Sequence, residues 1–174
     1  TIIEEITDDI ESDHYITDFL KTNAPKFLQQ KEATTAMFSA TREMESDHYK
    51  TIVISEALKG TNHSAESLHV ALQAAADMES DHYIAEVLSN LLKQNNLSDV
   101  ALTELLTTTQ AIESDHYRTQ ILTQALQKSN LSGSAHQQLL ESVKEMESDH
   151  YITEVIVNLM VKKLSDETMD DLLD

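Results

Sequence analysis

The chain has 174 residues, no cysteine, two glycines and one proline, and its 31 acidic against 12 basic residues leave a formal net charge of -19. That length suits one domain with a substantial core, while the missing cysteines exclude disulfide frameworks, thiolate metal sites and cysteine nucleophiles. Scarce Gly and Pro argue against a turn-rich β fold, the charge excludes nucleic acid and anionic membrane surfaces as partners, and no apolar run approaches the roughly 18 residues of a membrane-spanning helix.

The pentad Glu-Ser-Asp-His-Tyr begins at Glu11, Glu45, Glu79, Glu113 and Glu147, each 34 residues after the one before. A fixed period of this size marks a repeat architecture in which each unit buries its apolar face on its neighbours. All five tyrosines of the chain and five of its eight histidines lie in these pentads.

In chain order, residues 1–10 take the place of the last ten residues of a repeat, and a start at Thr1 without methionine reads as a processed or excised piece of a longer protein. In the first unit Pro25 falls where a helix should still be running. The expectation is a first helix that stops near Lys21, with Asn23 capping an early second helix that holds Pro25 in its first turn. The second unit shows helical spacing in Tyr49, Val53, Ile54, Ala57 and Leu58, then in Leu68, Ala71, Leu72, Ala75 and Met78. The third repeats it in Tyr83, Val87, Leu88, Leu91 and Leu92, breaks at the polar residues 93–96, and resumes after Ser98 with Leu102, Leu105, Leu106 and Ile112. The fourth has Tyr117, Ile121, Leu122, Ala125 and Leu126, a break at Lys128, Ser129 and Asn130, and Ser134 as the next N-cap. The last has Tyr151, Val155, Ile156, Leu159 and Met160, after which Ser165 is expected to open a second helix that the chain carries only partway. Together these predict one domain, residues 1–174: an all-α, right-handed α-α solenoid of five 34-residue helix pairs, with ends left open to self-association or to another chain.

The pentad suits a helix start. Ser12, Ser46, Ser80, Ser114 and Ser148 are predicted structural caps, the following Asp sits in the first turn where the helix dipole favours negative charge, and Tyr can bury its ring between helices. The residue ahead of each pentad (Ile10, Met44, Met78, Ile112, Met146) ends the preceding helix on its apolar face, so these methionines read as core. The Glu and His are less well explained, because a solvated position should drift between repeats and these do not.

A 34-residue helix pair is similar in length to the tetratricopeptide family, whose Trp, Gly, Tyr, Ala and Pro positions are not reproduced. The Ser-Asp-His-Tyr helix start, followed by Ile-Thr-Glu-Val-Leu-like residues, resembles instead the HEAT-like helical repeats of some bacterial proteins, including segments appended to membrane metallopeptidases of the β-lactam-sensor type. The resemblance spans residues 11–160 and implies an accessory or sensing segment; it carries over no catalytic residue, since His-Glu-x-x-His is absent.

Ser, His and Asp in immediate succession cannot converge as a hydrolase triad, because consecutive residues at a helix start project in different directions. No catalytic or cofactor-binding residue is expected, nor a resident metal. The reading is a non-enzymatic scaffold that binds a protein or peptide, with no direct membrane insertion. The rival reading is a metal-binding or pH-sensing module, in which His14, His48, His82, His116 and His150 act with Asp13, Asp47, Asp81, Asp115 and Asp149. Of the other histidines, His63 and His69 share no spacing with them, and His136 replaces an apolar position as a packed or rim residue.

Overall fold

The computed structural model describes residues 1–59, 64–95, 97–128 and 131–173, with side chains through Lys163. His63, Asn96, Ser129 and Asn130 lie outside the described residues. Ten α-helices occur among those described: α1 (Ile2–Asp8), α2 (Asp13–Phe27), α3 (Lys31–Glu43), α4 (Asp47–Ala57), α5 (Ala65–Ala76), α6 (Asp81–Leu92), α7 (Asp99–Thr108), α8 (Asp115–Leu126), α9 (Gly133–Lys144) and α10 (Asp149–Leu173). A 3-10 turn, Thr109–Ala111, extends α7.

The helices pack by a repeating rule. Each even-numbered helix meets the next even-numbered one, α2 on α4 through α8 on α10, and each odd-numbered helix meets the next odd-numbered one, α1 on α3 through α7 on α9. The molecule is therefore an all-α stack of helix pairs in two rows, as a helical repeat requires. A single apolar cluster runs the length of the stack, from Ile3 to Val155, and fills the space between the rows. Its columns follow the sequence period: Leu20, Ile54, Leu88 and Leu122 are all fully buried at equivalent points of four units. Met44, Met78 and Met146 are buried at the repeat junctions, as their spacing predicts.

Three local expectations are corrected. The first helix of the first unit does not stop near Lys21, and Asn23 is not a cap: α2 runs unbroken to Phe27 with Pro25 in its last turn. Asn23 lies inside it and donates its side-chain amide to the Phe19 carbonyl at 2.8 Å. Leu20 and Ala24 are buried on the core face, so packing carries the helix past a residue that costs about 3 kcal/mol in a helix interior. In the fourth unit the N-cap is Ser132, not Ser134; its hydroxyl accepts the Ala135 N–H at 3.2 Å. Ser165 opens no helix, because α10 continues through it to Leu173. Residues 161–167 hold none of the Asn and Gly that interrupt the second to fourth units, and Lys, Leu and Glu propagate a helix readily.

Candidate functional site

The five pentads line up along one edge of the stack, each at the start of an even-numbered helix. What their side chains do there differs from residue to residue.

The serines hold the N-cap position in the backbone sense. Ser12, Ser46, Ser80 and Ser114 are extended, and their carbonyls accept the first helical N–H bonds, such as Ile16 to Ser12 at 3.1 Å and Ile84 to Ser80 at 3.1 Å. Their hydroxyls cap nothing. The cause is backbone geometry. In these four serines ψ is 117°, 116°, 114° and 114°, whereas Ser64, Ser98 and Ser132, whose hydroxyls do cap α5, α7 and α9, have ψ of 149°, 157° and 168°. The smaller angle turns the first free N–H groups of the helix away from the serine oxygen. A paired experiment separates the two classes. Ser98→Ala is expected to lower stability by about 1 kcal/mol, as loss of a cap does, while Ser80→Ala stays within about 0.5 kcal/mol, as surface changes do. Urea unfolding of both variants checks this, and equal losses would mean that the pentad serines cap after all.

The aspartates tie one repeat to the next. The Asp13 carboxylate accepts the backbone N–H of Ser46 at 2.8 Å, and Asp47 accepts that of Ser80 at 2.8 Å. Asp81 accepts two, from Glu113 at 3.1 Å and Ser114 at 2.7 Å, and Asp115 likewise accepts Glu147 at 2.9 Å and Ser148 at 2.7 Å. The segment ahead of a helix leaves N–H groups with no partner in the helix itself. Here the preceding repeat supplies the acceptor, and because it is ionised each such bond is among the stronger kinds. Four of the five predicted metal-ligand aspartates thus spend their carboxylates on backbone amides.

The histidines are used between repeats too. Each imidazole packs on the tyrosine of its own pentad, and His14, His48, His82 and His116 pack also on that of the next. His14 lies 5.4 Å from Tyr15 and 6.1 Å from Tyr49 between ring centroids. His48, His82 and His116 reach Tyr83, Tyr117 and Tyr151 at 6.0, 5.8 and 5.9 Å. The result is an unbroken ribbon of alternating imidazole and phenol rings from Tyr15 to His150, tilted by 54–62° at every step. Tilted pairs at this distance bring about 0.5–1.5 kcal/mol each beyond the area they cover. Recurrence of His follows, since each ring is needed to join two rungs. The opening glutamates are exposed at all five rungs, and nothing among the described residues explains their recurrence.

Among the described residues, no three His, Asp or Glu side chains converge on a point where a metal ion could sit. His14, His48, His82, His116 and His150 are aligned with Asp13, Asp47, Asp81, Asp115 and Asp149, but imidazole and carboxylate serve different contacts. Elsewhere His69 Nδ1 meets Glu104 at 3.2 Å across α5 and α7, and half-buried His136 turns its Nδ1 toward the Ser132 carbonyl at 3.0 Å, a rim position as its place in the sequence predicts. In the same odd-numbered row, the Glu66 carboxylate sits 2.6 Å from Lys31 and raises the lysine pKa, first through their hydrogen bond and then through its charge.

Two buried cations, Lys50 and Arg118, escaped the sequence reading. Arg118 follows the fourth pentad where the other repeats carry Ile16, Lys50, Ile84 and Ile152, and it is buried. Its Nε donates to the Ile112 carbonyl at 3.0 Å, its Nη2 donates to the same oxygen, and its Nη1 donates to the Ser142 carbonyl at 3.3 Å. One guanidinium thus satisfies carbonyls at the ends of two successive odd-numbered helices. Cations at Lys50 and Arg118, in a column that is isoleucine in the other three repeats, were the available signal.

The even-numbered row is grooved, and one depression reaches the pentad edge at His82 and Tyr117. Open depressions of about 350, 430 and 360 Å3 lie along α4, α6 and α8. Their polar lining includes Ser55, Asn90, Gln94, Gln120 and Gln124 together with the charged Lys59, Lys93, Lys128 and Glu86. No described helix is long and apolar enough to cross a membrane. Neither the family models, nor the curated proteins, nor the solved structures compared with this chain give a match.

Proposed function

We propose that this chain is a non-enzymatic helical-repeat scaffold, a right-handed solenoid of five 34-residue units, that holds a protein or peptide partner. The observation that carries this reading is the groove along α4, α6 and α8, lined by carboxamides, hydroxyls and the lysines Lys59, Lys93 and Lys128. Carboxamides offer both a donor and an acceptor, the complement of a peptide backbone. Neighbouring helices about 8–10 Å apart match about three residues of extended chain at about 3.3 Å each. The net charge of -19 speeds the approach of a basic partner, while Lys59, Lys93 and Lys128 in the groove itself leave its selection to hydrogen bonds with the partner backbone. The groups that look reactive in the sequence, the pentad aspartates and histidines, are meanwhile occupied in joining repeats. Only the alignment of the imidazoles speaks for the rival metal- or proton-sensing module.

The test is fluorescence anisotropy with a panel of extended peptides of graded charge, against the wild type and the variant Asn90→Arg/Gln120→Arg. Basic peptides are expected to bind, and the variant to bind them about tenfold more weakly, a loss of about 1.4 kcal/mol. Binding that ignores peptide charge, or that survives the double substitution unchanged, would overturn the groove as the site.

A further inference from the structure

The depression between α6 and α8 carries charge of both signs. His82, Glu86, Asn90 and Lys93 recur at steps of three and four residues along α6, which places them in one stripe lining the depression of about 430 Å3. Tyr117 and Gln120 of α8 form the opposite wall. Glu86 lies toward the pentad edge and Lys93 toward the far end, seven residues or about 10 Å apart along the helix axis.

The Glu86 side chain is 46% exposed. Among the described residues its one ion-pair partner is His82 Nε2 at 4.0 Å, a separation too long for a hydrogen bond. The carboxylate oxygens therefore remain open as acceptors. Beside them stands the half-buried Tyr117 ring, packed on His82 at 5.8 Å between centroids. A carboxylate next to an aromatic ring suits a guanidinium: the acid pairs with its N–H groups and the ring attracts its charge. At the far end Lys93 Nζ donates to Asn90 Oδ1 at 3.0 Å, and in the adjoining depression Lys128 Nζ donates to the Gln94 carbonyl at 2.9 Å. Two ammonium groups there repel a cation, which directs a basic side chain toward Glu86.

This combination occurs once along the groove. The place of Glu86 is taken by Ile52 on α4 and by Gln120 on α8. Neither of the other two depressions has an acidic residue in its lining.

We propose that the depression is an arginine pocket: a chain lying in the groove anchors one arginine side chain between Glu86 and Tyr117. The inference rests on the groove being the peptide site, and it names the side chain that this site takes. Backbone hydrogen bonds accept any extended chain, whereas the pocket distinguishes one residue of it. Lysine fits less well, because a compact ammonium offers no planar face to Tyr117 and no fork to the carboxylate. An uncharged side chain leaves Glu86 without a partner.

Titration of the 15N-labelled full chain, read by backbone amide shifts, tests this with a blocked peptide of alanine and glutamine around one central arginine. A matched peptide carrying citrulline, the neutral counterpart of arginine, reports on the charge. Glu86→Gln removes the charge of the carboxylate at an exposed site and keeps its shape. Amides of α6 and α8 are expected to shift. In the wild type, arginine to citrulline should weaken binding about tenfold, since ion pair and ring contact are both lost. In Glu86→Gln the same change should weaken it only about twofold, the ring contact alone being at stake. Equal affinity for the two peptides overturns the pocket, as does an arginine preference that Glu86→Gln leaves unchanged. Absence of binding, or shifts confined to other helices, overturns it as well. The two readings fail differently. If both peptides shift α6 and α8 equally and both are lost in Asn90→Arg/Gln120→Arg, the groove stands without its anchor. If neither peptide reaches α6 and α8, groove and pocket fall together.

Discussion

Asp81→Ala is expected to lower the unfolding free energy by about 2–3 kcal/mol, the cost of deleting a charged acceptor and leaving its donors unpaired. The carboxylate accepts two amide N–H groups from the next repeat, and the Ser114 amide it serves at 2.7 Å is part-buried. Asp81→Asn keeps one acceptor oxygen and should lose about half as much. Glu79→Ala, at an exposed position of the same pentad, should stay within about 0.5 kcal/mol. Because the bond crosses a repeat boundary, its loss weakens coupling between units more than the units themselves. Urea unfolding of Asp81→Ala should therefore show a broader transition as well as an earlier midpoint. A midpoint that does not move would mean that water replaces the carboxylate at no cost, and that the pentad aspartate does not hold the repeats together.

The largest loss is expected at Arg118. Arg118→Ala should cost about 3–4 kcal/mol, since it removes a buried stem and leaves the Ile112 and Ser142 carbonyls without their donor. Arg118→Ile is the more informative variant. Ile84 fills the equivalent place in the preceding repeat and is buried there, so the column accepts this side chain, and the remaining deficit is the unpaired carbonyls, about 1–2 kcal/mol. Chemical denaturation of both variants gives the difference. If Arg118→Ile were as stable as the wild type, the guanidinium would be a tolerated substitute for an apolar side chain and not a staple between α7 and α9.

Much of this architecture follows from the sequence alone. A period of 34 residues with two apolar stripes per unit already dictates paired helices, the buried column at Ile54, Leu88 and Leu122, and the pentads aligned on one edge. These are consequences of helical periodicity and of the need to bury the same stripe at every unit, and both are written within one or two turns of chain. The destination of the pentad side chains is not. The Asp13 carboxylate reaches Ser46 and the His14 ring reaches Tyr49, contacts about one full repeat away along the chain that exist only once two rungs are set in register. Ser12, Ser46, Ser80 and Ser114 have the letters of an N-cap yet make no cap bond, because a ψ near 115°, imposed where each rung joins its neighbour, turns the amides away. Pro25 stays helical because the burial of Leu20 and Ala24 outweighs local preference. Arg118 is buried because two helix ends, remote in sequence, present their carbonyls to one point. Spacing along the chain determined which residues form each helix; the meeting of neighbouring repeats decided what each polar side chain does.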